Sequence, residues 1–265
     1  MELIAPRVFC VGTHHKTGTL WMRAVFRRLA AALGIESHVT YPARGDGLVP
    51  EIDRVFLFSW SSRFPEALLD RPDARVLHVI RDPRDVLLSG CRYHHHAPEA
   101  GEAFLHAPRE DLGGLTYQQH LNALEDPEEK LLFEMREKHA QTLQEMLDWD
   151  YDRPNTIEAR YEDLIADESC DGFREHLRDL GLTEPEVAKG VEIFWAKSLF
   201  GGLAEEAARG ERIRAHVASG RVAQWREALP RRVAEAYAAE YGAGLVKLGY
   251  EPHPTAWLEE LRDAA

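Results

Sequence analysis

Apolar runs of strand length alternate along this chain with segments of helical period, and each informative motif falls where a strand hands over to a helix. That alternation implies a three-layer α/β fold: a parallel sheet flanked by helices. Arg7 to Gly12 reads as a strand and Thr13 to Thr19 as a polar loop. A helix follows, with Met22, Val25, Phe26, Leu29 and Leu33 on one face and Gly34 as its stop. Residues 54–59 form a second strand before a short helix over 65–70, and 75–80 is apolar enough to be a central strand. Asp82 followed by Pro83 has the form of an N-cap with proline at N1, opening a helix that carries Val86, Leu87 and Ser89. The pattern then predicts one long helix over 127–148, a strand over 156–161, and helices near 168–180, 184–197 and 230–247. Thr183 and Glu186 supply a capping box. Residues 200–225 lack clean periodicity and read either as a segment that closes over a site or as a surface loop. With no internal repeat and no Pro/Ser-rich linker, a single domain over 1–265 is expected.

Composition narrows the function classes. The 265 residues carry 32 Lys plus Arg against 45 Asp plus Glu, a net charge of −13, too acidic for a generic nucleic-acid binder. A hydrophobic content of 45% excludes a disordered chain. No run approaches the roughly 18 apolar residues of a membrane helix, and the N-terminus lacks the basic flank and cleavage site of a secretory signal. Three widely spaced cysteines, Cys10, Cys91 and Cys170, suit reduced thiols in the cytoplasm better than a disulfide framework or a zinc site.

Two segments carry anion chemistry. In Gly12-Thr-His-His-Lys16-Thr17-Gly18-Thr19-Leu20-Trp21, a lysine, hydroxyls and a permissive glycine sit at a strand-to-helix turn, where helix amides and the helix dipole attract anions. The segment is a phosphate cradle or an ordinary Gly-containing turn with an exposed lysine. It is not a Walker A loop, because Lys16 precedes the final glycine instead of following it. Arg81 ends the central strand, at the carboxyl edge where open α/β sheets bind ligands, and Ser89 lies two turns into the next helix. These two are a second anion site, or an arginine paired with a carboxylate beside a helix-filling serine.

Together these segments resemble the sulfotransferases that use 3′-phosphoadenosine 5′-phosphosulfate (PAPS), a family with a P-loop nucleotide-kinase-like architecture. Lys16-Thr17-Gly18-Thr19-Leu20-Trp21 is similar to the family's 5′-phosphosulfate loop, and Val79-Ile-Arg81-Asp-Pro-Arg-Asp-Val-Leu-Leu-Ser89 to its 3′-phosphate motif. Tyr161-Glu-Asp-Leu164 resembles the segment whose tyrosine lies beside the adenine, and Gly220-Arg221-Val-Ala-Gln-Trp225 a late Gly-x-x-Gly-Asp-Trp segment. The resemblance implies that Lys16 contacts the bridging and 5′-phosphate oxygens and that the amides of Thr17 to Trp21 hold the 5′-phosphate. It gives Arg81 and Ser89 the 3′-phosphate, and sets Trp21 and Phe200 against the adenine. The implied reaction moves a sulfuryl group from PAPS to a hydroxyl or amine of a small molecule, glycan or lipid, leaving adenosine 3′,5′-bisphosphate, with no metal needed. The rivals are a nucleotide-dependent phosphotransferase and a non-catalytic nucleotide-binding protein.

The chain departs from the family in two places. After the second strand many members have a Thr-His pair and several a glutamate, whereas here the stretch is Leu57-Phe-Ser-Trp-Ser61. The family's Arg-Lys before the late glycine is replaced by Ala218-Ser219, leaving Arg214, His216 or Arg221 to substitute. The first candidate base is His15, where the family has a pocket-lining proline, with a pKa expected to be lowered by Lys16; His14 and His15 otherwise shape the loop through hydrogen bonds. The second candidate lies among His94, His95 and His96, with His94 foremost. Adjacent side chains diverge, so this triplet does not read as a metal site. His78, inside an apolar strand, reads as a hydrogen-bonded core residue. Residues 36–53 and 97–120, with Tyr41, Phe104, His106 and Tyr117, are expected to build a partly apolar acceptor pocket.

Overall fold

The computed structural model describes residues 5–40, 53–98, 102–210 and 220–262. Tyr41, Arg214, His216, Ala218 and Ser219 lie outside them. In chain order the elements are β1 (Val8–Thr13), α1 (Thr19–Leu33), β2 (Glu36–Val39), β3 (Val55–Ser59), α2 (Glu66–Leu69), β4 (Ala74–Ile80), α3 (Pro83–His96), α4 (Tyr117–Ala123), α5 (Pro127–Glu134) and α6 (Ala140–Leu147). There follow β5 (Thr156–Arg160), α7 (Tyr161–Ala166), α8 (Asp171–Asp179), α9 (Glu184–Lys197), α10 (Trp225–Ala228) and α11 (Arg231–Lys247). Two compact units result, one formed by residues 1–81 and 148–210, the other by 82–147 and 211–265.

The first unit holds the whole sheet, with strand order β2-β3-β1-β4-β5 and every pairing parallel. Alternation divides its side chains cleanly. Phe9, Val11, Phe56, Phe58, Leu77 and Val79 pack on one face against α1, α8 and α9, while Val8, Cys10, Val55, Leu57, Ala74 and Val76 pack on the other with Leu68 and Leu69 of α2. The expected parallel sheet flanked by helices is therefore present. Gly34 ends α1 in the left-handed region at φ 65°, and the Thr183–Glu186 capping box opens α9. The short strand β2 has no counterpart in the sequence reading. It is an edge strand whose Glu36, Ser37 and His38 are exposed, so no apolar run announces it.

In the second unit Asp82 caps α3 as expected, accepting a hydrogen bond from Arg84 N, with Pro83 at the first helical position. The helix predicted over 127–148 is interrupted by a π turn, Met135–His139, with Glu137 at φ −104°, ψ −108°. Its flanking polar side chains explain the break. Glu134 and His139 are both buried and hydrogen-bonded, and an ideal α-helix would set positions five apart about 140° from each other. The wider turn lets both reach interior partners without a change in sequence periodicity. Among the described residues no helix is long and apolar enough to cross a membrane.

Candidate active site

The chain leaves β1 to the β2–β3 side of the sheet and returns through β4 to the β5 side, so the carboxyl ends of β1 and β4 border the point where strand order reverses. Open α/β sheets bind ligands there. Lys16 to Trp21 follow β1 and Arg81 follows β4, so these residues of the first unit stand at adjacent strand ends. Arg81 Nη1 donates to the Lys16 carbonyl at 3.2 Å, and its guanidinium lies 4.4 Å over the Tyr161 ring. Arg81 is buried and held against both neighbours, so its charge is fixed in place.

The loop is built by internal hydrogen bonds. Thr17 Oγ1 accepts from His14 N at 2.8 Å and lies within donating distance of the His14 and Val79 carbonyls. Thr19 Oγ1 bonds to the His14 carbonyl at 2.7 Å and meets Thr13 Oγ1 at 2.9 Å. These hydroxyls shape the turn around the His14 backbone. Gly18 is the N-cap of α1 and no side-chain cap hydrogen bond is made there, so the first amides of the helix are left as uncapped donors. Leu20 stands in that first turn, half-buried like Lys16, Gly18 and Thr19. Lys16 itself has a positive φ of 63°.

Gly18 is required twice over. Its φ of +98° is one that L side chains rarely adopt, and an added Cβ would stand 3.1 Å from Tyr161 Cδ2. Gly18→Ala is therefore expected to lower stability by about 1–3 kcal/mol, as read by thermal unfolding. Beside it the aromatic group predicted from the sequence is assembled. Trp21 stacks on Phe194 at 4.8 Å and meets Phe200 and Tyr161 edge-on, each at 6.3 Å. Phe194 was not anticipated; it reads in the sequence as ordinary core of α9.

The other predicted residues are divided between the two units. His15 is half-buried in the loop of the first unit. In the second, Ser89 is half-buried on α3, Gly220 stands at φ 68° and Arg221 is exposed. His94 is fully buried. Its Nδ1 lies 2.7 Å from Glu134 Oε2, which also accepts the Tyr117 hydroxyl at 2.7 Å, and Phe104 and Tyr117 meet its ring edge-on. Within the 3′-phosphate motif, Arg84 and Asp85 serve the fold: Arg84 pairs with Asp82 and Glu251, and Asp85 accepts Trp225 N.

His78 is the buried, hydrogen-bonded strand residue expected, but its partners were not foreseen. Its Nε2 lies 2.8 Å from His14 Nε2 and its Nδ1 2.7 Å from Glu158 Oε2. No sequence signal links positions 64 and 80 residues apart; only the strand register does. Burial pushes the His78 imidazole down to about 3, and burial does the same to His139 in the second unit, where Tyr237 is its partner. Both groups are neutral when folded and protonate near 6.5 when unfolded. Between pH 6.5 and 3 the unfolded chain binds the extra protons, so these histidines make stability fall as pH is lowered through that window. Glu158, raised by burial to about 7, opposes them between 4.5 and 7. His139→Gln should flatten the acid limb of a plot of unfolding free energy against pH, measured by urea titration.

No family model matches this sequence, and no curated protein matches it. Solved structures match it in fold. Mouse sulfotransferase SULT7A1 complexed with PAP superposes with a TM-score of 0.52 at 16% identity, over 92% of this chain and 89% of that one. Retinol dehydratase in complex with androsterone and inactive cofactor PAP gives 0.50 at 14% identity, over 91% and 81%. The likeness is one of architecture: this chain has the α/β sulfotransferase fold.

Proposed function

We propose that the protein is a PAPS-dependent sulfotransferase, a single catalytic domain over 1–265 that moves a sulfuryl group to a hydroxyl or amine and releases adenosine 3′,5′-bisphosphate. The observation that carries this reading is the junction of the two anion motifs at neighbouring strand ends, with Arg81 bonded to the backbone of Lys16 and stacked over Tyr161. In the proposal the α1 amides and Lys16 bind the 5′-phosphosulfate, Arg81 binds the 3′-phosphate, and Trp21 and Phe200 line the adenine. Ser89, Gly220 and Arg221 keep the cofactor roles the resemblance implies.

Sulfuryl transfer needs an in-line nucleophile and stabilisation of charge on the departing phosphate. Lys16 supplies a full positive charge beside the helix amides, and the bridging S–O bond breaks with its electron pair on the 5′-phosphate. His15 and His94 remain the proposed bases from the sequence. The buried Glu134 carboxylate gives His94 the oriented second partner that general bases commonly have. Three unpaired cysteines support a reducing, cytoplasmic setting, and the acceptor is a small molecule, a glycan or a lipid.

The test is ligand-dependent stability. Adenosine 3′,5′-bisphosphate at about 100 times its dissociation constant is expected to stabilise the protein by about 2.7 kcal/mol, read as a rise in thermal midpoint. Turnover of labelled PAPS against an acceptor library then separates an enzyme from a binding protein. Hydrolysis of ATP with Mg²⁺, without any response to PAPS, would favour a phosphotransferase.

A further inference from the structure

The parallel register carries three strand ends of the first unit to one place. β1 pairs with β4 as far as Thr13 and Val79, and β4 pairs with β5 as far as Ile80 and Arg160. The residues that follow these strands are therefore neighbours: the Lys16–Gly18 turn after β1, Arg81 after β4 and Tyr161 after β5. Tyr161 opens α7 and is buried, with its ring packed on several sides. The Arg81 guanidinium lies over its face, 4.4 Å from the centroid, and Cδ2 and Cε2 on its edge stand 3.1 and 3.6 Å from where a Gly18 Cβ would be. Trp21 meets the same ring at 82°, with the centroids 6.3 Å apart.

An aromatic ring holds a guanidinium in a particular way. The attraction runs between the cation and the negative face of the ring, so it uses the flat side of the group and none of its N–H donors. A carboxylate in the same place would neutralise the charge and take up two donors. The ring contact therefore orients Arg81 without neutralising it, while the Lys16 carbonyl accepts from Nη1 at 3.2 Å on the edge of the group. Because the ring also abuts Gly18, the N-cap of α1, it acts as a spacer between the guanidinium and the start of that helix.

We propose that Tyr161 is a positioning residue for the 3′-phosphate: by holding Arg81 on its face it sets the preference of the protein for adenosine 3′,5′-bisphosphate over adenosine 5′-phosphate. The proposal rests on the sulfotransferase reading above, in which Arg81 binds the 3′-phosphate. An arginine held before the ligand arrives spares binding the cost of ordering a long side chain. This role differs from contact with the adenine, since both nucleotides carry the adenine and the 5′-phosphate. A ring that served only as a stacking surface, or only as packing for the loop, would change both affinities by the same factor. Acting through Arg81, it changes their ratio.

The experiment is calorimetric titration of the full-length protein with the two nucleotides, the preference being the ratio of their dissociation constants. In the wild type the bisphosphate should bind more tightly. Tyr161→Leu should lower that preference about tenfold, and Tyr161→Phe, which keeps the aromatic face, should retain most of it. In an Arg81→Ala background Tyr161→Leu should move the ratio no further, because the cation that the ring orients is gone. Phenylalanines with increasing numbers of ring fluorines at position 161 decide the matter if the leucine variant does not fold. They keep the packing while draining the negative face, and the preference should fall with each added fluorine. A ratio within about twofold of wild type in Tyr161→Leu, a ratio constant along the fluorinated series, or a loss in Tyr161→Phe as large as that in Tyr161→Leu overturns the positioning role. A wild-type protein that binds both nucleotides equally, or neither, instead overturns the reading on which it rests.

Discussion

Arg84→Met is expected to destabilise the protein by about 3–5 kcal/mol, the range for removing one partner of a buried ion pair. The guanidinium is 2% exposed and sits between two carboxylates. Nε and Nη2 bond to Asp82 at 3.0 and 2.8 Å, and Nη1 lies 2.5 Å from Glu251. It also lies 3.7 Å from the Trp225 ring centroid and 4.8 Å from that of Trp257, both buried. Methionine fills much of the volume but leaves Asp82 and Glu251 as buried acids without their cation. Arg84→Lys is no remedy, because a single ammonium cannot bond Asp82 with two nitrogens and lie flat on indole rings. Urea unfolding followed by tryptophan fluorescence reads the loss, since two of the reporters touch the guanidinium. Adding Glu251→Gln to Arg84→Met should recover part of it; a single-variant loss below about 1 kcal/mol would contradict the account. Arg81→Ala is the contrast, expected to weaken cofactor affinity more than stability.

Arg84 also marks the limit of what the sequence discloses. The N-cap at Asp82, the stop at Gly34 and the capping box at Thr183 were legible because each is local: a few adjacent residues satisfy backbone groups at a helix end. The central strands were legible because burial on both faces demands apolar runs. The placement of the Lys16 loop and of Arg81 side by side was legible because both follow strands, and parallel strands end on one edge. What escaped depends on distance in sequence. Nothing adjacent to Arg84 in the sequence announces Trp225, Glu251 and Trp257, which pack against its guanidinium. His78 reads as a hydrogen-bonded core residue, but only the register identifies Glu158 as its partner. The π turn at Met135–His139 was hidden because it alters where Glu134 and His139 point without altering which residues are apolar.

Lys16→Ala is expected to lower turnover about 10²- to 10³-fold, the effect of deleting one donor aimed at developing charge, or roughly 3–4 kcal/mol in the barrier. Binding should change much less. In the proposed reading the grip on adenosine 3′,5′-bisphosphate is spread over the α1 amides, Arg81 and the aromatic cluster, and the contact of residue 16 with Arg81 is made by its backbone carbonyl, which alanine retains. On that proposal ground-state binding and charge stabilisation are separable at this residue: the amides would meet the 5′-phosphate before and after transfer, while the ammonium would be needed most as the bridging oxygen takes up negative charge. Lys16→Arg should recover little, because the wider planar guanidinium cannot occupy the position of a compact ammonium in a loop tied by His14, Thr17 and Thr19. Single-turnover rates with PAPS, together with calorimetric affinity for the bisphosphate, give both quantities on the same variant. A variant that binds weakly but turns over normally once saturated would assign Lys16 to affinity alone and leave the departing phosphate to the helix amides.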